Sequence, residues 1–161
     1  MPKITPCLWF DGQAEEAAKF YTSIFPNSRV DKVVLSAADN PSTRTGEVIT
    51  VEYTLDGTPF IGLNGGPEFS FSEAISFDID CKDQDEVDRY WDALIQGGGE
   101  YSECGWLKDR FGVSWQVVPR ELNDMLESPD RDAAKRAMEA MLKMKKLDVE
   151  QLREAFQGVP A

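Results

Sequence analysis

Asp78 lies in "EAISFDIDC" between Phe77 and Ile79, and Glu52 lies in "EVITVEYTL" between Val51 and Tyr53. A carboxylate inside an apolar strand loses part of its hydration, which raises its pKa toward the range a general base needs near neutrality. Both residues are therefore candidate catalytic acids or bases. Both equally fit a structural role, paired with an Arg, a Lys or a backbone N–H of a neighbouring strand. Histidine is absent from all 161 residues. That removes Ser-His-Asp and Cys-His catalysis, HExxH zinc sites and the two-His-one-carboxylate iron site. Cys7, Cys81 and Cys104 are odd in number and widely spaced, as suits reduced thiols better than a disulfide framework or a zinc site. Cys104 becomes a nucleophile only if a cation such as Lys108 lowers its pKa, and Glu100, Glu103 and Asp109 oppose that.

The elements that must position these side chains repeat. "QAEEAAKFYTSIF" places Ala14, Ala17, Ala18, Tyr21, Ile24 and Phe25 on one helical stripe, with Asp11 as its expected cap and Pro26 as its stop. "DQDEVDRYWDALIQ" does the same with Val87, Tyr90, Trp91, Leu94 and Ile95, opened by an Asp83/Glu86 capping box and closed by Gly97 to Gly99. A shift of 70 residues lays Ala17, Tyr21, Ile24 and Phe25 on Val87, Trp91, Leu94 and Ile95, so the chain reads as two copies of one unit. Strand patterns surround each helix: "ITPCLWF", 29–37, 47–55 and 58–64 in the first copy, with Asp56-Gly57 as a hairpin turn, then "EAISFDIDC", 100–108 and 111–118 in the second.

Strand alternation sorts the faces. Ile75, Phe77, Ile79 and Cys81 are expected to pack a helix, as are Val113, Trp115 and Val117. Ala74, Ser76, Asp78 and Asp80, with Ser114, Gln116 and Val118, are expected to line a concavity able to hold a ligand, though Val118 is the apolar exception on that face. In the first strand Cys7 and Trp9 are placed inside and Leu8 and Phe10 against the helix. Trp106 and Cys104 flank the closing hairpin, and Asn64 in "NGGP" is either a turn residue or an orienter of a ligand oxygen. The candidate ligand-binding set is Cys7, Trp9, Asn64, Ser76, Cys104, Trp106 and Gln116. Beyond Pro119 the pattern is helical, with Met138, Met141, Leu142 and Met144 expected as a core stripe.

Acidic residues outnumber basic ones 29 to 17, for a net charge of -12, so nucleic acid and anionic membrane are not expected partners. The segment 133–161 carries six basic residues against four acidic ones, which suggests docking on the acidic body, its own or a neighbour's, or a plain solvated helix face. No apolar run approaches the length of a membrane span, and the first residues lack a secretory pattern. A cytoplasmic protein is the expectation.

The blocks "PCLWFDGQAEEAAKFY", "LNGGPEFSFSEAISF", "EVDRYW", "CGWLKDRFGVSWQVVP" and "AMLKMKKLD" resemble the PhnB-like family labelled 3-demethylubiquinone-9 3-methyltransferase, within the vicinal oxygen chelate (glyoxalase and dioxygenase) superfamily. The resemblance implies an α+β fold of paired βαβββ modules in a curved mixed sheet around a cleft, and a homodimer. It implies a glyoxalase-like domain over 1–118, with modules of about 1–66 and 67–118, and a helical extension over 119–161. Metal-dependent relatives carry ligands at positions that match about Thr5, Gly62, Ala74 and Gln116. Only Gln116 has a donor there, so no metal and no cofactor are expected. Neither Gly65-Gly66 nor Gly97 to Gly99 runs from a strand into a helix, as an S-adenosylmethionine loop does, which disfavours methyl transfer.

Three readings follow. The first is a metal-free binder of a small organic molecule whose activity is unassigned, with Asp78 or Glu52 for proton transfer. The second is a protein that sequesters a ligand without turnover, and the third a subunit whose Met-rich tail docks another protein.

Overall fold

The computed structural model describes residues 2–159 and divides into two compact units, Met1–Phe71 and Ser72–Ala161. The first unit contains β1 (Cys7–Phe10), α1 (Ala14–Ile24), β2 (Arg29–Leu35), β3 (Val48–Leu55) and β4 (Thr58–Asn64). Its sheet runs β1-β4-β3-β2, with β1 parallel to β4 and the other pairs antiparallel. Asp56 and Gly57 both take positive φ, the backbone that lets a two-residue hairpin follow the strand twist. Leu8, Phe10, Val51, Tyr53 and Phe60 are buried, together with the α1 face made by Ala14, Ala17, Ala18 and Tyr21. The small side chains of that stripe fit beside Gly62, where a Cβ would stand 3.2 Å from Ala14 Cβ.

Asp11 does not cap α1. Gln13 holds the cap position without a side-chain bond, and Asn64 reaches across 50 residues to accept from the Ala14 N–H at 2.9 Å. Its Nδ2 donates to the Val48 carbonyl, also at 2.9 Å, so one buried amide ties the helix start to two strands. A cap of this kind cannot be seen by reading the residues just before the helix. Asn64→Ala is expected to lower stability by about 1–3 kcal/mol, since it removes a cap and leaves buried backbone groups unpaired. Urea denaturation measures the loss, and an unchanged midpoint would count against the cap.

The second unit repeats the arrangement with β5 (Ser76–Cys81), α2 (Gln84–Leu94), β6 (Glu100–Tyr101), β7 (Trp106–Lys108) and β8 (Ser114–Pro119), in the order β5-β8-β7-β6. Here β5 runs parallel to β8, as β1 does to β4. The capping box forms: Asp83 accepts from the Glu86 N–H at 3.0 Å while Glu86 reaches back to the Lys82 N–H at 2.9 Å. α2 buries Val87, Tyr90, Trp91 and Leu94, and the sheet answers with Leu107, Trp115 and Val117. Ile75, expected on that buried face, lies ahead of the strand and is 72% exposed.

The strand expected over 100–108 is interrupted at 102–105. Cys104 and Gly105 take positive φ, and their N–H groups donate to the carbonyls of Met144 and Lys145, each at 2.8 Å. The helical tail consists of α3 (Arg120–Leu126), α4 (Arg131–Met141) and α5 (Val149–Gln157), and it belongs to this unit. Val118, Leu122, Met125, Ala137, Leu147 and Leu152 form one buried cluster. The methionine stripe divides: Met141 and Met144 pack on the cluster, whereas Met138 and Leu142 are 49% and 55% exposed. Alanines take the buried side of α4 because they permit close approach to α5. The basic tail does meet acidic residues of its own unit, Lys146 with Asp88 at 2.9 Å. Among the described residues, no helix is long and apolar enough to cross a membrane.

Candidate functional site

The strand face of the second unit turned away from α2 carries the candidate residues. Register fixes its membership: Asp78 pairs with Gln116 and Ser76 with Ser114, while Trp106 stands opposite Gln116 and Lys108 opposite Ser114. Alternation sends these six to one face and Phe77, Trp115, Val117 and Leu107 to the other. The Gln116 amide donates to the Ser76 hydroxyl at 3.0 Å. This bond orients the amide and leaves its carbonyl oxygen available to accept from a ligand. Trp106 is half-buried beside it, and Asp78 lies at the solvent edge.

Asp78 carries a pKa raised above its ordinary value, first by loss of hydration on the sheet and second by the neighbouring charge of Asp80. Asp80 itself is held at 2.9 Å by Arg120. A raised folded-state pKa favours the protonated carboxyl, so this contribution to stability is present below the ordinary Asp range and is lost as pH rises through the folded value. Asp78→Asn is therefore expected to leave the protein equally or slightly more stable at pH 7, with the difference vanishing as the wild-type carboxyl protonates. Thermal melts from pH 3 to 8 measure it; a large loss at pH 7 would assign Asp78 to a buried ion pair instead.

In the first unit, Cys7, Trp9 and Glu52 share the face of the sheet opposite α1, since Leu8, Phe10, Val51 and Tyr53 are buried against the helix. Glu52 is half-buried and stands across from Lys32, an opposite charge on the neighbouring strand. Trp9 donates its indole N–H to the Gly66 carbonyl at 2.9 Å, and its ring packs so closely on Gly65 that a Cβ there would stand 2.3 Å away. Both polar atoms of Asn64 are engaged in the bonds to Ala14 and Val48. The thiols are not primed as nucleophiles. Burial raises Cys7; burial and then Glu103 raise Cys104; and Cys81 is pushed up to about 12 by burial, Glu86 and Asp80.

The positions matched to metal ligands require correction. Gly62 faces α1, because its missing side chain is what admits Ala14, Phe10 and Tyr53; the open-face positions on that strand are Ile61 and Leu63. Ala74 lies in a turn before β5, and the strand-face residue there is Ser76. Thr5 precedes β1. The substituted positions supply no strong donors either, and among the described residues no group of three or more Cys, Asp or Glu side chains is disposed to hold a metal ion. Three of the glycines weighed for a cofactor loop are committed as well. Gly65 and Gly66 both donate to the Phe10 carbonyl, and Gly99 donates to Ile95 after the end of α2.

Two features of the second unit escaped the sequence reading. Asp109, 3% exposed, organises the β7–β8 hairpin by accepting from the N–H groups of Phe111 and Val113 and from the Trp115 indole, at 2.9, 3.1 and 2.9 Å. The Asp two residues before an N–H is an Asx-turn signal that "KDRFG" contained. The second feature is an ion pair between Lys108 and Glu73 beside the buried hydroxyl of Ser114.

The sequence profile described as 3-demethylubiquinone-9 3-methyltransferase matches residues 2–118. The PhnB protein from Bacillus cereus is 33% identical, over 73% of this chain and 99% of that one, with a TM-score of 0.66. A Pseudomonas aeruginosa protein is 20% identical over 74% of this chain and 98% of its own, with a TM-score of 0.59, which is a likeness of fold. No curated protein matches the sequence. The two βαβββ-like units with mixed four-stranded sheets are the glyoxalase type of fold.

Proposed function

We propose that this chain, which belongs to the 3-demethylubiquinone-9 3-methyltransferase family, binds a small, moderately apolar organic molecule on the open strand face of its second module and moves a proton on it through Asp78. The observation that carries this reading is the Gln116 amide held by Ser76 at 3.0 Å beside Asp78, with the Trp106 indole across the strand pair. An oriented amide next to a base of raised pKa and an aromatic wall can hold a carbonyl or hydroxyl oxygen, stack an apolar body and accept a proton from an adjacent carbon or oxygen. Glu52, Cys7 and Trp9 offer the first module's face a similar mixture.

Methyl transfer is not part of this reading, since the Gly65, Gly66 and Gly99 donors are spent within the chain. Metal chemistry on these residues is not part of it either, because the strand faces lack a ligand set. The reading includes a homodimer, supported by Val33 and Leu35 left exposed on the edge strand β2.

Native mass spectrometry of freshly isolated protein tests the proposal by reporting subunit stoichiometry and any retained molecule together. A retained small organic molecule that dissociates in Gln116→Ala supports the site. Its conversion by the wild type, slowed about 100-fold or more in Asp78→Asn, supports the chemistry. Stoichiometric retention with no turnover assigns sequestration instead, and retention unaffected by Gln116→Ala removes the site.

A further inference from the structure

Ser114 on β8 is 2% exposed, and among the described residues its hydroxyl has no hydrogen-bond partner. A buried hydroxyl is ordinarily paired, so an unpaired one on the wall of a pocket points to a group that arrives from outside. Ser114 lines a pocket of about 180 Å³ together with Glu73, Glu100, Tyr101, Trp106 and Lys108. At roughly 30 Å³ for each water of liquid volume, that space accepts a fragment of only a few heavy atoms.

The charges in the pocket decide what the fragment carries. Lys108 lies opposite Ser114 on β7 and is neutralised by its ion pair with Glu73. Glu100, opposite Lys108 on β6, also lies in the field of that ammonium, so Lys108, Glu73 and Glu100 together leave one net negative charge at the pocket. An anion would have to displace Glu73 from Lys108 and then sit against Glu100, inside a protein of net charge -12. A cation displaces nothing and meets Glu100. An ammonium has three N–H donors, which suit a carboxylate, a hydroxyl oxygen and the face of an indole.

We propose that the pocket walled by Ser114, Glu100 and Trp106 is a subsite for a protonated amine carried by the small molecule. The Ser114 oxygen accepts one N–H, Glu100 supplies the counter-charge, and the Trp106 ring covers the apolar stem. The Lys108–Glu73 pair remains intact and closes the subsite to carboxylates. This inference rests on the reading that the open face of the second module binds a small organic molecule, and it names the polar group of that molecule.

Calorimetric titration of the full chain at pH 7 and low salt with benzylammonium, benzyl alcohol and benzoate tests it. Benzylammonium is expected to saturate one site and to shift tryptophan emission, with at least tenfold weaker binding by the alcohol and none by benzoate. Glu100→Gln is expected to weaken benzylammonium about tenfold. Ser114→Ala is expected to weaken it severalfold while leaving the melting temperature no lower than wild type, because the hydroxyl has no partner to lose. Benzoate binding as tightly as benzylammonium, no binding of benzylammonium, or binding indifferent to both variants would overturn the subsite. If the wild type nonetheless retains a molecule sensitive to Gln116→Ala, only the amine assignment fails. If no molecule is retained and benzylammonium does not bind, the parent reading fails with it.

Discussion

A chain ended after residue 132 is expected to lose the folded second module, and Leu147→Ala alone is expected to lower its stability by about 2–5 kcal/mol. The truncation removes Ala133, Ala134, Ala137, Leu147, Val149 and Leu152, all buried, and leaves Val118, Leu122 and Met125 facing water. Leu147 has no exposed surface, and a Cβ on Gly105 would stand 2.9 Å from its side chain, so the site has little freedom to collapse around a cavity. The same segment supplies the Met144 and Lys145 carbonyls that hold the 102–105 loop, which delivers Trp106 to the open face. Loss of the tail should therefore reach the candidate site as well as the core. Urea denaturation of Leu147→Ala, and near-ultraviolet circular dichroism of the truncated chain, provide the measurements. A truncated protein with wild-type cooperativity and tryptophan signal would show that the tail is an appendage.

The second large effect concerns a carboxylate. Asp109→Ala is expected to lower stability by about 3 kcal/mol or more, since it strands the Phe111 and Val113 N–H groups and the Trp115 indole in a buried corner. Asp109→Asn should do less damage, because its amide oxygen can still accept from the two backbone donors, although its NH₂ then opposes the indole N–H. The ordering wild type, Asn, Ala in urea midpoints checks the account. Equal losses in Asn and Ala would mean that the negative charge, rather than the count of acceptors, holds the hairpin. In the sequence Asp109 figures only as a charge unfavourable to a thiolate at Cys104; its position two residues before Phe111 in "KDRFG" is the local signal of its turn role that went unused, and the indole bond depends on the register of β7 and β8.

The sequence by itself determined what depends on neighbours along the chain. Helical stripes, the Asp83 cap, the Asp56-Gly57 turn and the faces of β1 and most of β8 follow from periods of 3.6 and 2 and from side chains that reach only the next turn. The absence of histidine narrowed the chemistry before any element was placed. Tertiary structure decided what depends on partners far apart. It gave the α1 cap to Asn64 rather than Asp11, turned Gly62 toward Ala14, and broke the strand at Cys104 by offering it the Met144 carbonyl 40 residues away. It also left the Ser114 hydroxyl buried without a partner among the described residues, which no local pattern encodes. Periodicity reports which side of an element meets the core, while the pairing of a particular polar atom is set by register and packing across the fold, and it is those pairings that make the face a site.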